Sequence, residues 1–330
     1  MTTTLTTFSA APLATRTSSS TSSASSSVPP ALEWTTSTSY PTEIWTQSCV
    51  SSGGFVYCVG GVTGPDTTQI TSSVYFAALS SSGVGAWKAT TSYPTAIRSG
   101  SCVASAGKIY CVGGYNSTTI TDDVFYAPLS SSGVGQWKAT TSYPSRVWTE
   151  SCVPSTTGVF CVGGETPTES QTNAVYFAPY SSSGLGAWTS AANYPVTVRQ
   201  LSCVAGAGDA YCVGGLDNTQ VYYAPLTSSG VGAWNNTTGY PFTVGANLLS
   251  CVTVTGSIFC VAGHTGPNVS SDVYQATLST AGVSAWVAAP SYPTALWGLS
   301  CVSSGSSVYC SGGENASGAV TSGVAYLDTT

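Results

Sequence analysis

The chain has 330 residues, of which only 6% are charged; seven lysines and arginines face thirteen aspartates and glutamates, for a net charge of −6. Such a chain offers no cationic surface to condense on phosphate, which excludes nucleic acid and anionic membrane as partners. No stretch approaches the roughly eighteen consecutive apolar residues of a membrane span.

Residues 1–30 form the first segment, an N-terminal arm or stalk of serine, threonine and alanine with one charge at Arg16. Its apolar residues are too interrupted for a secretory leader, so no signal peptide is expected here. The composition fits a flexible, O-glycosylated stalk. The alternative is a docking arm: Thr2 to Phe8 has β propensity and two apolar anchors, Leu5 and Phe8, and such a segment can add a strand to a neighbouring molecule.

From residue 31 onward one pattern recurs. Twelve cysteines fall into six pairs, Cys49/Cys58, Cys102/Cys111, Cys152/Cys161, Cys203/Cys212, Cys251/Cys260 and Cys301/Cys310, each nine positions apart. One histidine, His264, and no Cys-x-x-Cys spacing argue against a metal site. If each pair flanks a two-residue hairpin turn, the cysteines face each other at a non-hydrogen-bonded position, where Cα atoms stand about 4.5 Å apart, within disulfide range. Six intra-hairpin disulfides follow, and with them an oxidising, extracellular or cell-surface setting.

The first cysteines are spaced by 53, 50, 51, 48 and 50 residues, a propeller-blade period. Each unit reads as four antiparallel strands: the first holds the first cysteine and the second holds the other. After a Gly-Gly comes an aromatic third strand such as Val74-Tyr75-Phe76, and a Ser-Gly turn then leads to a fourth with a tryptophan (Trp87, Trp137, Trp188, Trp234, Trp286). Tyr-Pro follows each tryptophan, from Tyr93 to Tyr292. The last unit stops at Leu327 without its tryptophan, and the missing Trp34 and Tyr40 stand at the start of the repeat region. The expectation is an all-β, six-bladed β-propeller over residues 31–330, closed by an N-terminal strand that completes the last blade.

The succession of hairpin, Gly-Gly, aromatic strand and tryptophan resembles the kelch repeat and the galactose oxidase propeller. The resemblance implies ligands on the loops around the central channel. Four residues after each Tyr-Pro proline stand Trp45, Arg98, Trp148, Arg199 and Trp297, with Gly245 or, across a two-residue insertion, Asn247 in the fifth unit. Arg98-Ser99-Gly100 matches the Arg-Ser-Gly context in which kelch arginines contact ligands, whereas Arg199-Gln200-Leu201 shares only the arginine. Tryptophan and arginine dominate binding hot spots. The competing expectation is that the tryptophans pack between blades and the arginines pair with Glu150 or Glu43. The copper site of galactose oxidase needs two histidines and a tyrosine-cysteine pair, so neither that cofactor nor any other is expected. The acids after the Gly-Gly pairs, Asp122, Asp123, Glu165, Glu169, Asp217 and Glu314, read as solvated loop residues.

Sequons occur at Asn116, Asn235, Asn236, Asn268 and Asn315. Two non-enzymatic functions remain. The favoured one is an extracellular structural glycoprotein that self-associates, into head-to-tail filaments if Leu5 and Phe8 dock on the next copy. Near-identical segments at 79–94 and 129–144 support it, because a catalytic site usually drives repeats apart. The alternative is a carbohydrate- or peptide-binding, lectin-like propeller using the Trp/Arg ring.

Overall fold

The computed structural model describes residues 1–4, 32–168 and 170–330, and Leu32–Thr330 form one compact unit. This unit is a six-bladed, all-β propeller built from six antiparallel sheets. In the first blade the strands run Ser48–Ser52, Phe55–Val59 and Val74–Ser80 from the channel outward, and an outer strand in two short pieces, Gly83–Val84 and Lys88–Ala89, pairs with the third. Trp87 occupies the break between those pieces, one residue before the position the sequence pattern gave it. The last sheet is completed by Thr35–Thr36, which pair with Tyr326 and Ala325 of Val324–Asp328. The N-terminal strand therefore closes the ring as expected.

The hairpin register is the predicted one in every blade: each first cysteine lies opposite its partner, with Cα atoms 4.0 Å apart and a disulfide between them. All twelve cysteines are consumed. The disulfides are packed into the clusters between neighbouring blades. Cys251 and Cys260 lie against Val204 and Tyr211 of the preceding blade, Cys203 and Cys212 against Val153 and Phe160, and Cys301 and Cys310 against Val252 and Phe259. Across the closing seam Cys58 lies against Val302 and Tyr309 of the last blade. The second cysteine of each pair is the deeper one: Cys58, Cys161, Cys212 and Cys260 are at 0% exposure and Cys310 at 1%. These residues therefore differ from the other positions singled out in the sequence. They belong to the core, where the second strand is covered by a blade on either side, and they present no surface to a ligand or partner.

Four kinds of hydrogen bond stitch every seam, and each forms a closed circuit of six. In the first circuit the second glycine of each Gly-Gly donates to a carbonyl of the next blade, as Gly61 does to Ile97 and Gly313 to Ile44, all at 2.8 Å. The preceding residue is glycine in five blades, where space is short: a Cβ on Gly60 would stand 2.3 Å from the Ile97 oxygen; in the fifth blade Ala262 holds the place with φ 58°. In the second, Thr46, Ser99, Thr149, Gln200, Leu248 and Gly298 each donate backbone N–H to the equivalent carbonyl of the previous blade, at 2.8–3.1 Å. These six residues share a left-handed backbone with φ of 52–64°, and only one is glycine. Such a conformation costs a threonine about 1–3 kcal/mol, a cost the circuit itself offsets. In the third, the N–H of each first cysteine donates to the serine Oγ of the preceding inner strand, Cys49 to Ser300 through Cys301 to Ser250, at 2.9–3.0 Å. In the fourth, each tryptophan Nε1–H donates across the rim; Trp137 reaches Thr91 O and Trp34 reaches Pro290 O. The Tyr-Pro tyrosines pack edge-to-face on these same indoles, with centroids 4.8–5.0 Å apart at all six seams. Each such pair adds about 0.5–1.5 kcal/mol beyond its buried area.

Candidate ligand site at the channel mouth

The segment after each Tyr-Pro enters the inner strand on one face of the ring, and its fourth residue pairs, backbone to backbone, with the residue that follows Gly-Gly in its own blade. Trp45 pairs with Val62, Arg98 with Tyr115, Trp148 with Glu165, Asn247 with His264 and Trp297 with Glu314. Leu216 N–H donates to Arg199 O in the same way. The insertion in the fifth blade is thus absorbed before Asn247, which takes the ring position in place of Gly245. The strand 2 to 3 loops accordingly share a face with the Trp/Arg segment.

Side chains from neighbouring blades then meet in small groups that divide the face into sectors. Trp45 is buried, packs at 4.7 Å against Trp297, and donates its indole N–H to Gly64 O at 3.3 Å. His264 lies 5.0 Å from Trp297 with the rings tilted by 60°, and burial lowers its pKa. These tryptophans pack between blades, one of the two expectations for them. The arginines depart from expectation: neither meets Glu150 or Glu43. Arg199 forms its ion pair with Glu165, whose side chain is 6% exposed. Glu165 is therefore no solvated loop acid; the loop turns it inward because the residue after Gly-Gly is held in the bridge to Trp148. Burial also raises the pKa of half-buried Glu314.

Arg98 is different. Its guanidinium carbon lies 5.1 Å from the ring centre of Tyr115 and 5.2 Å from that of Trp148, which are 5.8 Å from each other. Among the described residues no carboxylate reaches it, and the Nε–H of Arg98 and the Nε1–H of Trp148 are both buried without an acceptor. Tyr115 was not singled out in the sequence, although its place directly after Gly113-Gly114 is the signal that would have found it.

Inside the mouth lies a cavity of about 170 Å³, lined by the left-handed residues and by those that follow them. The second set reads Gln47, Gly100 and Glu150 on blades 1–3 and Leu201, Leu249 and Leu299 on blades 4–6, a polar arc facing an apolar one. Among the described residues no cluster of three or more metal-ligating side chains occurs. Of the sequon asparagines, Asn235, Asn236 and Asn268 are exposed, whereas Asn116 and Asn315 are half-buried, their Oδ1 atoms accepting amides two to four residues on. Leu5 and Phe8 lie outside the described residues.

Comparison with known proteins agrees with this architecture. A Kelch motif is matched over residues 98–126, the span that carries Arg98, the Cys102/Cys111 hairpin and Tyr115. The propeller also superposes on a solved protein described as "Structure of YjhT", with a TM-score of 0.71 and 12% identity over 86% of this chain and 94% of that one. The chain is a six-bladed β-propeller with a Kelch motif in its second blade. At that identity the likeness speaks to fold alone. No curated protein matches the sequence. Six disulfides in this ring indicate an oxidising setting, and no helix of the described residues is long and apolar enough to cross a membrane.

Proposed function

We propose that this kelch-type propeller is a secreted, non-enzymatic binding protein that takes an acidic carbohydrate on its channel-mouth face. The observation that carries the reading is Arg98, a half-buried cation against two aromatic rings with no carboxylate partner among the described residues. A carboxylate-bearing sugar supplies what the site lacks, a counter-anion for the Arg98 guanidinium and an apolar ring face to lie against half-buried Tyr115 and Trp148. Support for a non-catalytic role comes from the groups that could move protons: Glu165 is held by Arg199 and His264 by Trp297. Glycans on exposed Asn235 or Asn236 would lie on the outer strand, away from the mouth, and one on Asn268 would border it.

A glycan array probed with the purified chain, followed by titration of the best binder, tests this. Arg98→Ala should weaken binding of acidic glycans at least tenfold while leaving stability within about 2 kcal/mol of wild type, since a partly desolvated cation-π contact is worth up to roughly that much. Equal binding by wild type and variant, or a preference for neutral sugars or acidic peptides, would sink the reading. Self-association through Leu5 and Phe8 is a separate reading, supported by the near-identical segments 79–94 and 129–144. Loss of sedimenting polymers on removal of residues 1–27 would establish it.

A further inference from the structure

Gln47 and Glu150 occupy the same position in two blades, two residues before the first cysteine. Both are buried, at 5% and 6% exposure, and both run sideways into the seam with the preceding blade. Gln47 lies against Gly312: its Nε2 donates to the Ser311 carbonyl at 2.8 Å, and a Cβ built on Gly312 would stand 2.7 Å from that nitrogen. Glu150 lies against Gly113, the corresponding glycine of blade 2, and a Cβ built there would stand 3.0 Å from its Oε1. The acid oxygen thus takes the place of the amide nitrogen, and the group equivalent to the Ser311 carbonyl is that of Val112. A carboxylate has nothing to donate to a carbonyl; a carboxylic acid has one O–H. Neither oxygen of Glu150 makes a well-formed hydrogen bond in its ionised form, and both are covered from the cavity. The acid therefore serves the seam and not a ligand in the channel.

We propose that Glu150 carries its proton in the folded propeller and clamps blade 3 to blade 2 through the Val112 carbonyl, as Gln47 clamps blade 1 to blade 6, so that alkaline solution loosens this one seam.

The surroundings favour the neutral form. The blade 2 and blade 3 segments around Glu150 contribute Gly113, Gly164 and Val147, none of them charged. The titratable groups that sense it are Tyr143 and Tyr93, whose hydroxyls are held well above their ordinary range by burial first, with the Glu150 charge adding to it and Asp123 acting on Tyr93 as well. No cation compensates, because Arg98 is held on Tyr115 and Trp148, and Arg199 on Glu165. Burial pushes the Glu150 carboxyl up to about 8 from 4.5, against a weaker opposing pull from the backbone amides of Glu150 and Ser101. The sign follows: between those two values the folded chain binds the proton and the unfolded chain does not, so stability falls as pH rises from about 4.5 to about 8 and levels off above.

Thermal unfolding of the full chain with disulfides intact, from pH 4 to 9, tests the proposal with Glu150→Gln and Gln47→Glu. The Glu150→Gln curve should meet the wild-type curve near pH 4.5, rise above it through pH 8 and run parallel beyond. Gln47→Glu should acquire a second decline of the same form. At pH 9, amide exchange at Gly114 and Thr149, which bridge blades 2 and 3, should be faster in wild type than in Glu150→Gln, with Gly313 unchanged. Superimposable pH profiles for wild type and Glu150→Gln, or a Glu150→Gln variant less stable at every pH, would overturn it.

Discussion

The rim and the mouth of this propeller obey opposite rules. At the rim, six tyrosines meet six tryptophans with nearly the same geometry, and every indole donates to a carbonyl of the previous blade. At the mouth, the six ring positions hold three tryptophans, two arginines and an asparagine, while the positions two residues on split into a polar and an apolar arc. Both regions stand on the same backbone circuits. The difference shows that six-fold identity is retained where each seam must close alike, and that side chains diverge at the mouth, where backbone bonds already close the seams.

The largest effect should come from the one place where the rim's regularity is not secured by chain continuity. Thr35–Thr36 are bound to the last blade through their pairing with Tyr326 and Ala325 and the following Ser37 N–H to Val324 O bond, while Trp34 reaches across the seam by its indole bond to Pro290 and its contact with Tyr292. Deleting residues 31–41 should expose the third strand of the last blade and abolish a cooperative melt, whereas deleting 1–27 should leave the melt unchanged; calorimetry of the two truncations separates closure from arm. Equal damage from both would show that the first 27 residues belong to the fold.

Next in size are the disulfides. Each closes a loop of about ten residues and should contribute roughly 2–3 kcal/mol in the chain-entropy account. Cys161 is fully buried, so replacing both Cys152 and Cys161 by alanine adds a packing loss at the seam with blade 2. Chemical denaturation should show this variant folded but destabilised, less severely than the 31–41 deletion. Non-reduced peptide mapping of wild type should find only links across nine positions; one inter-blade link would contradict the register.

The fold was legible because its signals repeat. Cysteine spacing set the hairpin register, and the tryptophan missing after Leu327 but present at Trp34 gave the closure. Spacing did not say which cysteine of a pair lies deeper; the burial of Cys58, Cys212 and Cys310 comes from the neighbouring blade packed over the second strand. The mouth was only half legible. Trp45, Arg98, Trp148, Arg199 and Trp297 could be found by counting from proline, but which of them would be paired could not, because the partner comes from the neighbouring blade. Glu165 and Glu150 are the same residue type and both buried; Arg199 meets the first and no cation among the described residues meets the second. The left-handed ring was hidden for another reason: Thr46, Ser99, Thr149, Gln200 and Leu248 are residues whose type gives no warning of φ near +55°, since the conformation is imposed by inter-blade bonds and not by local preference.

The smallest expected effect probes a circuit that the sequence displayed and spacing arguments passed over. A serine precedes the first cysteine in all six blades, and its Oγ accepts the N–H of the next blade's cysteine. Ser202→Ala removes one such acceptor and strands the Cys251 N–H, which sits at 3.0 Å from Ser202 Oγ on an inner strand with little access to water. The loss of a single neutral hydrogen bond, plus the desolvation of the abandoned amide, should cost about 1–2 kcal/mol. The neighbouring bonds of the same seam, Gly215 to Ala246 and Leu248 to Gln200, hold the backbone in place. The change should therefore stay local: faster amide exchange at Cys251, a melting temperature lower by a few degrees, and no change at Cys49 on the opposite side of the ring. If exchange quickens equally at all six cysteines, the seams open together, and the serine circuit acts as one cooperative ring rather than as six separate bonds.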